Sequence, residues 1–276
     1  MPGDMETKVV RWYRRLILSG INFWYSRWGE HSFLALLAII IGALAAVAAG
    51  LLHAGVAWLT RFSLDLPARL TTLLPGRMVL VAAAVILLPL LGMTLSYLVQ
   101  RYLGGQRYAK SLSPLILALH RKRTGIPLSE TVTHMLSSAL SVGLGGSAGL
   151  EAPSVLAGAA IGANTGSFCF IAQKRRALLL GCGGAAAISA IFDSPVAGVL
   201  FAAEVLYWSP EFEPEVILPA ALASVVSYCT YGAVFGWEPL FAIPEALAFK
   251  NPLELIAYTM LALAMAILAM LYTRTF

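Results

Sequence analysis

The chain has 276 residues, of which 59% are hydrophobic and only 12% charged, and its mean hydropathy is +0.80. Soluble domains carry about a quarter charged residues, so this composition excludes an ordinary soluble enzyme or binding module and points to an integral membrane protein. The net charge of +5 does not signal nucleic acid, because the basic residues flank apolar stretches and form no separate soluble domain.

In chain order, residues 1–28 set Trp12, Tyr13, Ile17, Phe23, Trp24 and Trp28 among cations. This pattern predicts an interfacial amphipathic helix, without the short apolar core and small-residue cleavage site of a secretory leader. Residues 29–276 are expected to be membrane helices. Runs free of Asp, Glu, Lys and Arg extend from Ser32 to Thr60, Met78 to Gln100, Thr131 to Leu150, Ala152 to Gln173, Ala177 to Phe192, Val216 to Trp237 and Leu255 to Thr273. A span needs roughly 20 apolar residues; some runs exceed that and others, with Ser194 to Ala203, fall short. Broken helices are tolerated at membrane depth only where protein or water satisfies their free backbone groups. The expectation is therefore an all-α polytopic protein with broken and partial helices lining a transport pathway. Short turns are predicted at Leu66 to Gly76 and Trp208 to Pro214, with no linker dividing the chain, so residues 1–276 read as a single transmembrane domain.

Lys8, Arg11, Arg14, Arg15 and Arg27 precede the first span, and Arg101, Arg107, Lys110, Arg121, Lys122 and Arg123 follow the second. Only Arg61, Arg69 and Arg77 lie between. The positive-inside bias predicts that the N-terminus and the loop after Gln100 face the cytoplasm, and a plasma (inner) membrane is the expected location. Cys169, Cys182 and Cys229 are scattered in apolar segments, as small buried thiols are. Gly158, Gly162 and Gly166 form a small-residue stripe suited to close helix packing.

One carboxylate, Glu151, stands in the charge-free stretch GGSAGLEAPSVLAG, residues 145–158. Pro153 suits the first turn of a helix, so the helix starts at Glu151 or Ala152. The free N–H groups of a helix start, with its dipole, favour an anion. Gly145, Gly146 and Gly149 let the backbone approach a ligand. Charge at mid-membrane costs about 2.5–3.5 kcal/mol on insertion scales, while a helix N-terminus returns up to roughly 2 kcal/mol. With these terms nearly balanced, the acid gains and loses its proton readily and competes with a free anion for the same cradle. The alternative is a helix cap or an ion pair.

These residues resemble a known family. Gly145-Gly146-Ser147-Ala148-Gly149-Leu150-Glu151-Ala152-Pro153 is similar to the Gly-(Lys/Arg)-Glu-Gly-Pro signature of the CLC chloride channels and chloride/proton exchangers. Gly183 to Ala187, Phe192 to Phe201 and Glu204 resemble the next stretch of that family in order and spacing. The likeness runs from about Ser32 to the C-terminus and is specific between Gly143 and Glu204. It implies the first half of an inverted-repeat fold, a homodimer embedded in membrane lipid, one anion pore per subunit and chloride as the transported ion, without a cofactor. It further implies Glu151 as the gating glutamate, with Gly149, Leu150, Ala152 and the Ser111 hydroxyl as anion contacts. Ser111 comes from the placement of Lys110-Ser111-Leu112-Ser113-Pro114, whose proline lies 37 residues before Glu151. Ser113 before Pro114 also reads as a plain helix N-cap, and Thr124-Gly125-Ile126-Pro127 matches the family's turn in letters but not in spacing. Because the family's second half supplies a further helix N-terminus and a tyrosine hydroxyl, the end at Phe276 is expected to mark a fragment of a longer protein.

The chain departs from the pattern at Leu150 and Ala152, which replace a basic residue and a glycine. Val205 stands where the exchangers commonly carry a second glutamate. A valine carries no proton, which favours a channel or uncoupled conductor over a chloride/proton antiporter. Glu204 is expected to bond a neighbouring loop and Asp193 to cap the helix that starts at Pro195. An intramembrane enzyme using Glu151 or Asp193 as a base is a further alternative, but no paired nucleophile, metal set or cofactor loop accompanies either. His53 and His134 are isolated in apolar runs.

Overall fold

The computed structural model describes residues 3–73, 76–104, 125–205, 214–237 and 251–275. All described regular structure is helical: α1 (Gly3–Leu73), α2 (Met78–Leu103), α3 (Leu128–Gly143), α4 (Glu151–Phe168), α5 (Gln173–Phe192), α6 (Pro195–Leu200), a π-helical turn (Phe201–Val205), α7 (Pro214–Phe235) and α8 (Glu254–Thr275). The chain divides into two compact units, Met1–Glu238 and Pro239–Phe276. The second contains α8, a 22-residue apolar helix with Glu254 in its first turn and Arg274 in its last.

Among the described residues, five segments are long and apolar enough to cross a membrane: Gly29–Leu73, Val81–Leu103, Gln173–Phe192, Val216–Phe235 and Glu254–Thr275. The chain is an integral membrane protein. Within α1 the helix breaks at Gly29, where φ is +78°, a conformation that disfavours any residue with a Cβ. The expected amphipathic segment thus ends at a hinge one residue before Glu30. Beyond it the helix does not stop at Thr60: it continues through Arg61, Asp65 and Pro67 to Leu73. At 1.5 Å per residue this is roughly twice the thickness of a hydrocarbon core, so charges near Thr60 mark the end of the apolar stretch without ending the helix. The predicted turn at Leu66 to Gly76 contracts to the few residues around Gly76, whose φ is +89°. Most of the turn predicted at Trp208 to Pro214 lies outside the described residues, and Pro214 itself opens α7.

α4 and α5 pack against each other antiparallel. A Cβ built on Gly158 would strike the Gly183 carbonyl, one on Gly183 the Gly158 carbonyl, and one on Gly162 the Leu179 carbonyl. The glycine stripe is therefore a packing seam, and only backbones without side chains approach so closely. Around it Val155, Ala159, Ala160, Leu180, Cys182, Ala185 and Ala186 are buried. Two serines tie α5 to α7: Ser189 Oγ donates to the Ser224 carbonyl at 2.7 Å, and Ser227 Oγ donates to the Ala186 carbonyl at 2.6 Å. Asn164 Nδ2 donates to the Ile126 carbonyl at 2.9 Å. Gly125-Ile126-Pro127 is thereby fixed beside α4, with Ile126 only 3% exposed, as part of the core.

Candidate anion site

α3 ends at Gly143, and its last carbonyls are met by turns: Gly145 N–H donates to Val142 and Gly146 N–H to Ser141. Gly145 has φ +100° and lies against Pro89 of α2. From Ser147 the chain is irregular until Glu151 opens α4. The first amide drawn back into the helix is Ser154 N–H, which donates to the Leu150 carbonyl at 3.2 Å. The amides of Ser147 to Ala152 have no backbone acceptor among the described residues, and Pro153 has no N–H to offer. Gly149, Leu150, Glu151 and Ala152 thus share one concentration of unpaired backbone donors at a helix start, where the macrodipole adds positive potential. Leu150 precedes the helix without any side-chain cap bond.

The Glu151 side chain lies back over Gly149. A Cβ on that glycine would collide with the carboxylate. The glycine is the space the acid occupies. Glu151 is exposed, whereas Pro153 to Ala160 are all buried. The carboxylate lies beside its own helix start, outside the packed core, and makes no hydrogen bond with a described side chain. Ser154, one turn inside α4 and on the same face, is 1% exposed, and its hydroxyl has no hydrogen-bond partner among the described residues. Sequence reasoning did not single it out; its spacing of three from Glu151 was the available signal.

Ser111, with Ser113 and Pro114, lies outside the described residues. Val205 closes the π-helical turn, and Glu204 is exposed and bonds no described residue. Asp193 is not the N-cap of α6. Pro195 takes the first helical position, which moves the cap to Ser194, whose Oγ accepts from Ala197 N–H at 3.4 Å. Asp193 instead ends α5 in a left-handed conformation, φ +48°. In this turn after the span, desolvation raises its carboxyl from its ordinary value, and His53 pulls the other way. His53 is not isolated: its Nδ1 shares a 2.7 Å hydrogen bond with the Tyr231 hydroxyl of α7, and the two rings stack. The antiparallel register of α4 and α5 puts the Asp193 turn at the same end of that pair as Glu151. No group of three or more His, Cys, Asp or Glu suited to a metal occurs among the described residues.

Against known proteins, the pattern of the family described as voltage gated chloride channel matches residues 91–276. The chain is 33% identical over 158 residues to chloride channel protein CLC-e of Arabidopsis thaliana, covering 54% of this chain and 21% of that protein. It is 27% identical over 139 residues to the putative chloride channel protein ClcB-like of Ralstonia nicotianae (strain ATCC BAA-1114 / GMI1000), covering 49% of this chain and 32% of that one. Among solved structures, a CLC-type fluoride/proton antiporter aligns with TM-score 0.64 and 27% identity over 83% of this chain and 53% of the other. A slow cyanobacterial Cl-/H+ antiporter aligns with TM-score 0.64 and 20% identity, over 79% and 50%; at that identity the likeness speaks to the fold alone.

The fold and the family match together define an all-helical integral membrane protein of a class whose members are channels and transporters. The chain belongs to the voltage gated chloride channel, or CLC, family. It spans about half the length of these solved chains and a fifth to a third of these curated relatives.

Proposed function

We propose that this chain forms part of an anion pathway, with chloride as the transported ion, gated by Glu151. The observation that carries the reading is the row of unpaired amides from Ser147 to Ala152 with a carboxylate folded over Gly149 in their midst. A halide and that carboxylate are chemically alike to the amides: each is a monovalent anion seeking N–H donors at a helix start. They compete for one place. Protonation removes the carboxylate's claim, so anion flux rises as pH falls. The Gly149, Leu150 and Ala152 amides receive the ion in this scheme, and the Ser111 hydroxyl is a further donor. The pathway functions in a homodimer, one per subunit, in a plasma or inner membrane with the N-terminus in the cytoplasm.

Chloride efflux from liposomes holding the native protein tests the gate. Wild type is expected to conduct faster as the medium is acidified, and Glu151→Gln to conduct fast at every pH. A Glu151→Gln variant that keeps the wild-type pH dependence overturns the assignment.

Val205 offers no titratable group beside Glu204, which favours passive conduction. A second reading, chloride/proton antiport, is supported by the likeness to the CLC-type fluoride/proton antiporter, 27% identical to this chain. The two separate in one measurement: a chloride gradient that drives protons uphill into the liposomes, and fails to do so in Glu151→Gln, selects antiport.

A further inference from the structure

We propose that the cleft formed by α1 just after its break at Gly29 and by the first turns of α5 and α7 binds the phosphoester headgroup of an anionic glycerophospholipid. The proposal is independent of the anion pathway.

Three apolar spans begin at this cleft: Gly29–Leu73, Gln173–Phe192 and Val216–Phe235. Its volume is about 490 Å³, and each span contributes from its first turns. The lining is graded along the helix axes. Glu30, His31 and Arg175, at the very start of their spans, form the polar part. Leu34 and Leu178, three or four residues further in, are buried in the wall, with Leu222 deeper on α7. A turn of helix rises about 5.4 Å, so the polarity changes over the same few ångströms in which a phospholipid passes from phosphate to acyl chain. Leu218, 68% exposed, opens the apolar wall toward the surroundings.

The charge is arranged for an anion. Arg175 Nη1 is ion-paired with Glu30 Oε1, which ties the start of α5 to α1 just after Gly29. That contact engages one corner of a guanidinium that carries five N–H donors in a fixed fork. The Arg175 side chain remains 38% exposed, with donors to spare for a phosphate. His31 is exposed on the cleft's lip, and Arg27 and Lys174, each within a turn of a lining residue, are exposed as well. The single carboxylate already has its partner. Arg27 and Lys174 beside the cleft, with the spare donors of Arg175 inside it, give the cationic surroundings that recognise an anionic lipid headgroup where apolar spans begin, and the leucine wall would serve no purpose for free phosphate.

Native mass spectrometry of the intact protein tests this with palmitoyl-oleoyl phosphatidylglycerol and palmitoyl-oleoyl phosphatidylcholine as probes. One phosphatidylglycerol is expected to survive activation that strips phosphatidylcholine. His31→Ala removes a headgroup donor and Leu222→Trp fills the apolar wall. Each is expected to lower phosphatidylglycerol occupancy roughly five- to tenfold, the scale of one charge-assisted hydrogen bond or a blocked pocket. Because wild type alone gives the lipid comparison, failure of either variant to fold leaves the proposal decidable. Equal retention of both lipids overturns it. So does displacement of phosphatidylglycerol by millimolar inorganic phosphate, which would make free phosphate the ligand. Equal inter-subunit cross-linking of Leu218→Cys with and without phosphatidylglycerol, in protein that retains no lipid, also overturns it and gives the cleft to a second copy.

Discussion

Gly149 and Glu151 are two residues that make sense only together. The glycine's backbone is not in the left-handed region, so alanine fits its dihedral angles, and the atoms nearest to a Cβ there are those at the end of the Glu151 side chain. A flexible side chain yields at little cost, whereas the position it yields is the one that matters. Gly149→Ala is therefore expected to leave thermal stability within about 1 kcal/mol of wild type, as surface changes do, yet to displace the carboxylate. Chloride efflux at neutral pH should rise toward the Glu151→Gln level. Unchanged efflux from a folded Gly149→Ala protein would show that the carboxylate's place over Gly149 has no bearing on the gate. Glu151, its glycines and Pro153 were legible in the sequence because each is a local signal: a helix start, a missing N–H and a lone charge. The His53–Tyr231 bond was not, since it joins residues 178 positions apart and neither partner carries a motif. The Asp193 reading failed by one residue for a related reason. Both Asp193 and Ser194 are good caps, and only the left-handed end of α5 decides between them.

At the scale of elements, the pairing of α4 with α5 holds the anion cradle in place. α4 alone has no marked apolar face, and its residues are buried nearly all round. Its position depends on how closely it approaches α5 at Gly158 and Gly183, where each glycine faces the other's carbonyl. Here, unlike at Gly149, the obstacle is backbone and cannot swing aside. Gly158→Ala is expected to destabilise the protein by about 1–3 kcal/mol, the usual range for overpacking. The drop should appear as a lower midpoint in a detergent thermal-unfolding assay, with the α4 start displaced and the pH response of efflux blunted. A midpoint equal to wild type would mean that the seam is looser than the structure shows. The stripe's spacing was readable in sequence, but its partner was not: many helices offer small residues, and the choice of α5 is made by tertiary packing. The π-helical turn at Phe201–Val205 left no trace in composition, and α1 concealed its own length, because Arg61, Asp65 and Pro67 resemble a span's end.

At the scale of the whole molecule, the distribution of charge makes a claim that the helix directions can test. α1 and α2 are joined near Gly76, and α2 ends at Leu103, so Gly76 and Gly104 lie at opposite ends of α2. The cations cluster beyond Gly104 and before Gly29, with few near Gly76. Lys and Arg within reach of a span resist translocation, so the topology we propose has Gly104 in the cytoplasm and Gly76 on the far side. On the same proposal the α1 segment just after Gly29 and the start of α5 face the cytoplasm, because Glu30 and Arg175 are ion-paired, and with them the lipid cleft. Removing Cys169, Cys182 and Cys229 and introducing Gly76→Cys or Gly104→Cys gives two proteins with one thiol each. A membrane-impermeant maleimide applied to intact cells is expected to label the first and to reach the second only after permeabilisation. The opposite pattern would invert the chain, place the lipid cleft in the outer leaflet and require the gate at Glu151 to answer to cytoplasmic pH.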